Sequence, residues 1–408
     1  MECYLVGGAV RDRLLGLPVE ENDWVIVGSS ADELIAAGYT QIGSEFPVFL
    51  HPESREEYAL ARTERKTGAG HRGFEVNADE HVTLEQDLQR RDLTINAIAQ
   101  RSNGSLADPC NGLPDLKQRV LRHISEAFRE DPLRVLRVAR FQAKLHHLGF
   151  TIAPETHRLL SEMSTSGELA SLTPERVWME TEKALGTDSP DQYIKTLYQC
   201  DALKVVMPEL HDCYHRKDSL WGDDANTRER IGLAINFASM RKLGAEIKYA
   251  ILMHALGPIS QPRNLEFSRP ATTTNDENAI LALGARLKAP NRFNELANIV
   301  GHYARFALQA TQAKPDGILA LLDRTDAWRR PKRFEDFLLS CEALTAGNST
   351  LMSERIGSLS FLRSVLDACK AINAEEFVAA GVEGKAVGES VYNARKTLVA
   401  SMKKQYSA

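Results

Sequence analysis

The chain has 408 residues, of which 43% are hydrophobic and 26% are charged, and these values exclude wholesale disorder and a membrane protein class. This length exceeds what one hydrophobic core usually serves, so roughly two to four domains are expected. The net charge of −5 does not exclude nucleic acid as a partner, because a local basic patch is enough to bind phosphate.

Cysteine usage and apolar runs bound the cellular context. The six cysteines lie far apart without a Cys-x-x-Cys pair, which fits reduced thiols and argues against a zinc site. No apolar run approaches the roughly 20 residues of a spanning helix, and the N-terminus lacks a basic stretch followed by an apolar one. We therefore expect a cytoplasmic protein with no membrane partner.

The first 16 residues predict a strand, a tight turn and a helix. Residues 4–6 are apolar and read as a short buried strand, and residues 9–15 read as a helix that ends at Gly16. Between them, Gly7 and Gly8 allow the backbone to approach an anion closely, while the helix N-terminus and Arg11 add positive charge. The turn is therefore a candidate phosphate cradle.

Two carboxylates lead into the next predicted strand. Glu21 and Asp23 are two residues apart, so in an extended chain they share a face, and the apolar residues 25–27 bury the rest of the strand. A carboxylate pair alone is more often solvated surface. Beside a phosphate cradle, however, it suggests Mg²⁺-dependent phosphoryl or nucleotidyl transfer.

The chain up to residue 79 adds a helix, two strands and a loop. Residues 31–37 predict the helix, and residues 46–51 and 56–62 predict the strands. Glu57 or Glu64 could be a third metal-binding carboxylate, or either could lie on the surface. Residues 67–79 are rich in glycine and lack apolar periodicity, which predicts a mobile loop of the kind that covers sites.

A double arginine follows the next predicted helix. That helix spans residues 83–88 with Thr83 as its cap, and it leads into Arg90 and Arg91 beside an apolar run. The two arginines are interpreted either as cations near a triphosphate or as exposed ion-pair partners. Turn residues at 108–112 end the α/β part of the chain, with a boundary near residues 110–120.

The stretch from residue 125 to 145 predicts a basic helix. Asp131 is a suitable N-cap and Pro132 suits the first helical position. Arg134, Arg137 and Arg140 recur every third residue and form a row of cations. A solvated helix face is the ordinary interpretation, but arginine without interleaved lysine favours contact with a ligand.

The remainder of the chain predicts helices with few strands. They are expected at residues 173–185, 192–203, 228–243, 245–256, 279–287, 291–310, 317–328, 334–344 and 374–380, with a basic helix at 394–408. Residues 257–275 are rich in Pro, Ser and Thr and predict a joint between helical subdomains.

Six ordered motifs together resemble the class II tRNA nucleotidyltransferases, the bacterial CCA-adding enzymes. The motifs are Leu-Val-Gly-Gly-Ala-Val-Arg-Asp at 5–12, Asp-Trp-Val-Ile-Val-Gly at 23–28, Ala-Arg-Thr-Glu-Arg-Lys at 61–66, Arg-Arg-Asp-Leu-Thr-Ile-Asn-Ala at 90–97, Asp-Pro-Cys-Asn-Gly-Leu-Pro-Asp-Leu at 108–116 and Glu-Asp-Pro-Leu-Arg-Val-Leu-Arg-Val-Ala-Arg-Phe at 130–141. The resemblance implies an α+β fold: a polymerase-β-like nucleotidyltransferase head with a mixed β-sheet at 1–115, followed by an all-helical neck at 116–190, body at 191–270 and tail at 271–408.

The resemblance also implies an activity and its residues. The activity is addition of C, C and A to the tRNA 3′ end from CTP and ATP, with Mg²⁺ and no nucleic-acid template. The helical domains would hold the acceptor stem and T-arm of the tRNA. The implied residues are Gly8 and Arg11 for the triphosphate, Glu21 and Asp23 for the metals, Arg91, Arg137 and Arg140 for the nucleotide, and Asp131 and Arg134 as the positions that select the base.

Two positions depart from the family pattern. Glu21 stands where the family usually has aspartate, and the extra methylene moves the carboxylate by about 1 Å. In the body, His254 is followed by Ala255 where some relatives carry a His-Asp phosphohydrolase motif, and Asn226 stands where an upstream histidine is expected. Without the aspartate a hard bridging ligand is missing, so we predict no phosphohydrolase activity.

Other functions remain open from the sequence. A poly(A) polymerase, or an enzyme that adds only CC or only A, would share the same head. A more distant alternative is a non-catalytic RNA-binding protein in which Glu21 marks a decayed site.

Overall fold

The computed structural model describes residues 1–42, 48–66, 74–214, 226–257, 275–346 and 349–406. The chain divides into two compact units. The first unit comprises Met1–Ala184 with Gln192–Val206, and the second comprises Leu185–Asp191 with Met207–Ala408. The domain boundaries predicted at 115, 190 and 270 stay predictions.

The strands of the described residues all lie in the first unit and end at residue 152. They are β1 (Glu2–Val6), β2 (Asp23–Val27), β3 (Thr40–Ile42), β4 (Val48–Leu50), β5 (Glu57–Leu60), β6 (Thr63–Lys66), β7 (Phe74–Asn77), β8 (Ala99–Arg101), β9 (Leu106–Ala107), β10 (Val120–Leu121) and β11 (Thr151–Ile152).

Seven of these strands form one sheet in the order β3-β4-β5-β2-β1-β8-β9. Its neighbours are antiparallel except for β2 and β5, which run parallel, so the predicted mixed sheet is confirmed. The register places Asp23 opposite Val6 on one side and opposite Glu57 on the other. The start of β2 is thus the point where the β1–α1 turn and β5 meet.

The described helices up to residue 206 lie between these strands and after them in the chain. They are α1 (Gly8–Leu14), α2 (Ala31–Ala36), α3 (Leu84–Gln89), α4 (Gly112–Gln118), α5 (Leu133–Leu145), α6 (Pro154–Thr165), α7 (Pro174–Leu185), α8 (Asp191–Gln199) and α9 (Ala202–Val206). Side chains cap two of them: Ser30 accepts from Glu33 N–H at α2, and Thr83 accepts from Gln86 N–H at α3. The predicted cap at Thr83 is confirmed.

The sheet buries apolar residues in two clusters. One contains Tyr4, Val25 and Leu88, and the other contains Ile26 and Phe49. Alternation along β2 sends Val25 and Ile26 into different clusters, as the period of a strand requires. The two packed clusters fix the position of β2, and with it the position of Asp23 at the start of the strand.

The regular elements of the second unit are all helices within its described residues. Its helices are α10 (Pro208–Cys213), α11 (Thr227–Met240), α12 (Ala245–Met253), α13 (Asn275–Arg286), α14 (Asn291–Ala307), α15 (Pro315–Arg324), α16 (Pro331–Leu344), α17 (Ser349–Lys370), α18 (Ala374–Ala379) and α19 (Lys385–Tyr406). Helix α12 is buried from Ile247 to Met253 and packs against α11, α14 and α16, so it forms the centre of this unit.

Several predicted elements need correction. Within the strand predicted at 46–51 the structure describes β4, which ends at Leu50, and β7 occupies part of the loop predicted at 67–79. Helices α6 and α17 were not expected, and the basic C-terminal helix begins at Lys385 rather than at residue 394. In α17, repeated serines and Gly357 weaken the apolar periodicity of the sequence. The helix is stabilised by the burial of Phe361 and its neighbours.

Four predicted segments fall partly outside the described residues. These are residues 46 and 47 of the expected strand, 67–73 of the expected loop, 258–274 of the expected joint and 407–408 of the expected basic helix. Within the part of the chain that the structure describes, we find no helix whose length and hydropathy would let it cross a membrane.

Candidate active site

A cavity of about 590 Å³ opens in the first unit beside the β1–α1 turn. Its charged lining contains the arginines Arg11, Arg62, Arg90, Arg91, Arg134, Arg137 and Arg176 and the carboxylates Asp23, Glu57, Asp92 and Asp131. The arginines outnumber the carboxylates, so the cavity carries an excess of positive charge and suits a polyanion. Seven of the predicted site residues line it, namely Gly8, Arg11, Asp23, Arg91, Asp131, Arg134 and Arg137.

The turn between β1 and α1 requires glycine at one of its two positions. Gly7 has φ 69° and ψ −134°, a backbone conformation that side chains other than glycine rarely adopt. A Cβ atom there would lie 3.1 Å from Arg91 Nη1 and 3.8 Å from Asp23 Oδ2. At Gly8 a Cβ would lie 3.5 Å from Arg11 Nη2, an ordinary contact. Gly7 therefore lets the backbone, a cation and a carboxylate converge.

Arg11 is held by a chain of buried polar groups. Its Nη1 donates to Asn96 Oδ1 at 2.6 Å, and Asn96 Nδ2 donates to Asp92 Oδ1 at 3.0 Å. Asp92 Oδ2 in turn accepts from Arg137 Nε at 2.7 Å. Burial by itself raises the pKa of the Asp92 carboxyl, but the charge of Arg137 and these hydrogen bonds outweigh it and hold the pKa well below its ordinary value.

This chain of groups joins distant parts of the sequence. Arg11 belongs to α1 and Arg137 to α5, while Asp92 and Asn96 lie in the segment after α3. A second link runs beside it, because Asp12 Oδ2 accepts from Lys144 Nζ at 2.9 Å and Asp12 Oδ1 accepts from Arg11 Nε at 2.8 Å. Helices α1 and α5 are therefore tied together by charge-assisted hydrogen bonds.

The candidate metal-binding carboxylates lie at the start of β2. Asp23 is the first residue of the strand and lines the cavity next to its register partner Glu57. Glu21 precedes the strand, is exposed and does not line the cavity. Because it lies outside β2, the alternation of side chains along a strand does not determine which way its side chain points. Burial raises the pKa of Asp23; the charge of Arg91 opposes this shift and the nearby charge of Glu21 adds to it.

These oxygens fit a divalent cation of the kind that a nucleotidyltransferase uses. Carboxylates are hard ligands, and a bound cation would stabilise the charged form of Asp23, whose pKa is raised by burial. Within the described ranges no group of three or more His, Cys, Asp or Glu side chains is arranged to hold a metal by itself. The site fits a cation bound by one or two carboxylates and completed by substrate phosphates.

Both residues of the double arginine form ion pairs with one buried carboxylate. Asp87 of α3 is fully buried and receives Arg90 Nη2 at 2.7 Å and Arg91 Nη2 at 3.0 Å. Burial raises the pKa of Asp87, but the two positive charges more than offset it and lower the pKa below its ordinary value. Both arginines line the cavity, so the exposed ion-pair interpretation does not hold.

The two residues that are predicted to select the base, Asp131 before α5 and Arg134 on it, are held by neighbouring groups. Helix α5 begins at Leu133, one residue later than predicted, with Pro132 at the N-cap position, and the Asp131 carboxylate still accepts from Leu133 N–H at 3.0 Å. Asp131 also receives Arg176 Nη2 at 3.1 Å. Arg134 donates to the carbonyls of Ala127 and Arg90 at 3.0 and 2.6 Å, which aims its guanidinium.

Arg140 is placed apart from the other arginines of the row. Its Nε donates to Glu180 Oε2 at 2.6 Å, and the residue is not part of the cavity lining. Its expected contact with the nucleotide stays a prediction, as does the metal role of Glu21.

Sequence reasoning did not assign several residues of the cavity and its support. Asp92 and Asn96 carried a signal, since two polar residues four apart interrupt an otherwise buried apolar run. Arg176 and Asp87 carried none, because an arginine and an aspartate in the first turns of predicted helices are ordinary surface residues.

The residues at which the sequence departs from the phosphohydrolase motif lie at the ends of helices. His254 begins a short 3₁₀ segment after α12, followed by Ala255 and Leu256. Asn226 caps α11 by accepting from Glu229 N–H at 2.9 Å. The structure thus gives Asn226 a role in starting a helix.

Comparison with known families identifies two segments of the chain. A family model described as "Poly A polymerase head domain" matches residues 3–122. A second, described as "Probable RNA and SrmB- binding site of polymerase A", matches residues 149–214. The first match contains the whole seven-stranded sheet and the Gly7 turn, and the second begins after α5.

Relatives and solved structures match the chain over its length. A protein of Thioalkalivibrio sulfidiphilus named "Multifunctional CCA protein" is 44% identical over 100% of both chains, and one of the same name from Tolumonas auensis is 46% identical over 95% of both. A CCA-adding enzyme complexed with ATP has a TM-score of 0.67 at 22% identity, over 98% of this chain and 86% of its own. The Thermotoga maritima CCA-adding enzyme complexed with tRNA has a TM-score of 0.64 at 22% identity, over 99% and 90%. The structural matches share the fold, and the full-length sequence identity shows that the chain belongs to the class II tRNA nucleotidyltransferases, the CCA-adding enzymes.

Proposed function

We propose that this chain adds C, C and A to the 3′ end of tRNA from CTP and ATP, without a nucleic-acid template. The tRNA 3′-hydroxyl attacks the α-phosphorus of the nucleotide, and pyrophosphate leaves. The cavity of the first unit carries the proposal, because an excess of arginine there faces two neighbouring carboxylates and a pair formed by Asp131, which precedes α5, and Arg134 in its first turn. Its volume of about 590 Å³ lies within the roughly 300–1,000 Å³ of small-ligand sites.

The arginines bind and orient the nucleotide. Arg11 and Arg91 flank the turn at Gly7 and would meet the triphosphate, since guanidinium groups donate to phosphate oxygens in pairs. Arg137, held by Asp92, would meet the remainder of the nucleotide, and Arg140 is proposed as a further contact from beside the cavity. Because each side chain is already held by a partner, little freedom is lost when the nucleotide binds.

Asp131 and Arg134 select the base. Asp131 precedes α5 and Arg134 lies in its first turn, and both line the cavity. The carboxylate can accept from the exocyclic amine of C or A, and a carboxylate has about four acceptor sites, so the bond from Arg176 leaves capacity. Uracil O4 and guanine O6 would place an acceptor against that acceptor, at a cost of roughly 1–3 kcal/mol for each group left unpaired.

We propose Mg²⁺ as the divalent cation, held by Asp23 with Glu21 or Glu57 as its neighbour and completed by substrate phosphates. Glu57 is proposed as the further carboxylate because it lines the cavity beside Asp23; the side chain of Glu64, the other candidate, lies outside the described residues. When bound, the cation would make the 3′-hydroxyl a better nucleophile and neutralise charge on the leaving pyrophosphate. The chain itself supplies the carboxylates and keeps them in place through the buried strands β2 and β5.

The helical part of the chain is proposed to hold the acceptor stem and T-arm of the tRNA. The match of residues 149–214 to an RNA-binding family model supports this assignment. Recognition would rest on shape and phosphate contacts, so affinity is expected to fall steeply with salt. Because tRNA and nucleotides are its proposed substrates, we propose a cytoplasmic location.

Incubation with a tRNA that lacks its CCA end tests the proposal. Purified protein would receive CTP, ATP or both, and the product 3′ ends would be sequenced. Addition of CC from CTP alone and of CCA from the mixture is expected. Long A tracts from ATP would instead indicate a poly(A) polymerase, CC or A alone a partial enzyme, and the absence of Mg²⁺-dependent incorporation a non-catalytic RNA-binding protein.

The relatives' name "Multifunctional CCA protein" makes a second activity worth measuring. We predict no phosphohydrolase activity, because Ala255 follows His254 and Asn226 caps a helix. Hydrolysis of a 2′,3′-cyclic nucleotide or of a phosphate monoester with Ni²⁺, Mn²⁺ or Mg²⁺ present would contradict this prediction.

A further inference from the structure

One aromatic ring lies among three of the arginines of the site. Phe141 of α5 lines the cavity although it is only 6% exposed. The guanidinium carbons lie 4.3 Å from the ring centroid for Arg140, 5.2 Å for Arg11 and 5.7 Å for Arg137. All three distances are within the range of about 6 Å in which a cation is attracted by the ring face.

These three arginines come from two elements and are also fixed by other groups. Arg11 is bound to Asp12 and Asn96, Arg137 to Asp92, and Arg140 to Glu180. Each of these partners is separate, whereas the ring of Phe141 is shared by all three. Like charges this close repel one another, so a common attractive surface helps to keep them together.

A neutral ring has an advantage over a carboxylate in this place. A further aspartate among the arginines would hold them but would cancel charge that a triphosphate needs. The ring attracts the guanidinium groups through its quadrupole and leaves their net charge unchanged. A leucine would fill part of the same space without that attraction.

We propose that Phe141 is a positioning residue that holds Arg11, Arg137 and Arg140 in the orientations in which they meet the nucleotide. The inference rests on the proposed function, since it assumes that a nucleoside triphosphate occupies the cavity. Phe141 acts through the arginines, and its effect is on nucleotide affinity more than on the chemical step.

Substitution of the ring tests the proposal. Phe141→Leu should weaken binding of CTP and ATP about tenfold, the loss expected when one to a few cation–π contacts disappear. Binding would be measured by calorimetry with and without Mg²⁺, and incorporation would be measured in parallel. KM for the nucleotide should rise with the dissociation constant, while kcat changes less than about threefold. Phe141→Tyr, which keeps a ring, should restore most of the affinity.

The matched control is Phe150→Leu, the same chemical change at another buried phenylalanine of the first unit. Phe150 is fully buried and does not line the cavity. This variant should bind nucleotide as the wild type does, even where its thermal stability falls. Equal losses of affinity in Phe141→Leu and Phe150→Leu would overturn the proposal, because general loosening of the core would then explain both.

A fluorinated series separates attraction from packing. Phenylalanine carrying one, two, three or five ring fluorines at position 141 nearly keeps the shape of the ring while the negative charge of its face declines stepwise. Nucleotide affinity should fall progressively along the series, and affinity that does not change would overturn the proposal. The wild-type protein shows which idea has failed: if it binds and incorporates nucleotide while the series is flat, only the role of Phe141 is lost, and if it does not incorporate nucleotide, the proposed function is lost.

Discussion

Charged side chains are used differently in the cavity of the first unit and on the helices of the second. In the cavity region, Arg11, Asp87 and Asp92 are 2%, 0% and 5% exposed, and each is paired. In the second unit, the ion pairs of Arg330 and Arg329 lie on the surface, with side chains 54% and 83% exposed. Burying a charge costs free energy, whereas an exposed pair changes stability little.

The difference indicates which unit carries the chemistry. Buried, mutually paired charges with shifted pKa values are characteristic of functional sites. The second unit buries mainly apolar side chains, such as Phe293, Phe334 and Phe361, although Lys248 and Arg355 are also buried there. The predictions below test this contrast, from the largest expected effect to the smallest.

Removal of the carboxylate at the start of β2 should have the largest effect. Asp23→Ala is expected to lower incorporation by about 10³-fold or more while tRNA affinity stays nearly unchanged, because a cation ligand is lost but the helical surface is intact. Glu21→Ala should also lower incorporation, but by less, since Glu21 precedes the strand and does not line the cavity. Single-turnover incorporation and filter binding of tRNA measure the two quantities.

The exposed neighbour Glu20 provides the control for these variants. Glu20→Ala should incorporate nucleotide as the wild type does. Full turnover by Asp23→Ala would show that the reaction does not need this carboxylate. It would also contradict the contrast in charge use between the two units.

Loss of the base-selecting carboxylate should relax specificity. Asp131→Asn replaces an acceptor by an amide that can either accept or donate, so UTP and GTP are no longer opposed by a fixed acceptor. Incorporation of UTP relative to CTP is expected to rise by about 10²-fold in a competition assay. Glu126→Gln, an exposed position of the preceding segment, should leave selectivity unchanged; an equal rise in both variants would contradict the role of Asp131.

Neutralising the buried anchor of the double arginine should cost stability in a pH-dependent way. Asp87→Asn is expected to lower the free energy of unfolding by about 3 kcal/mol at neutral pH, because two arginines lose a buried partner. The native pKa of Asp87 is lowered, so its contribution is present above the ordinary aspartate pKa of about 3.9 and is lost as the pH falls below it.

Chemical denaturation of wild type and Asp87→Asn at several pH values measures this effect. The difference between the two should shrink below about pH 4. Glu162→Gln, which removes a half-exposed partner of Arg129, should change stability little at any pH. A difference that stays constant into acid would mean that the variant acts by packing and not by charge.

The smallest effect is expected on the surface of the second unit. Arg330→Ala removes an exposed pair with Glu295 and should lower the free energy of unfolding by less than about 1 kcal/mol. Thermal denaturation checks this value. A loss as large as that of Asp87→Asn would show that the two units do not differ in how they use charge.

The sequence by itself determined the local features and the family of this protein. The Gly7–Gly8 turn, the arginine row of α5 and most helices depend on residues that are near one another in the chain, so periodicity and capping patterns reveal them. The order of the motifs carried the resemblance, which the full-length relatives confirm. The sequence did not predict helix α17, because its serines weaken the apolar periodicity and packing stabilises the helix instead.

Only the tertiary structure decided which of these residues meet. Asp23 lies beside Glu57 because β2 and β5 pair in parallel, and Arg11 reaches Asn96 across 85 positions of the chain. Asp131 is paired with Arg176 from another helix, and Phe141 gathers arginines from α1 and α5. Contacts of this kind depend on strand order and on how helices pack, and these are set by the whole core, so no local pattern of residues encodes them.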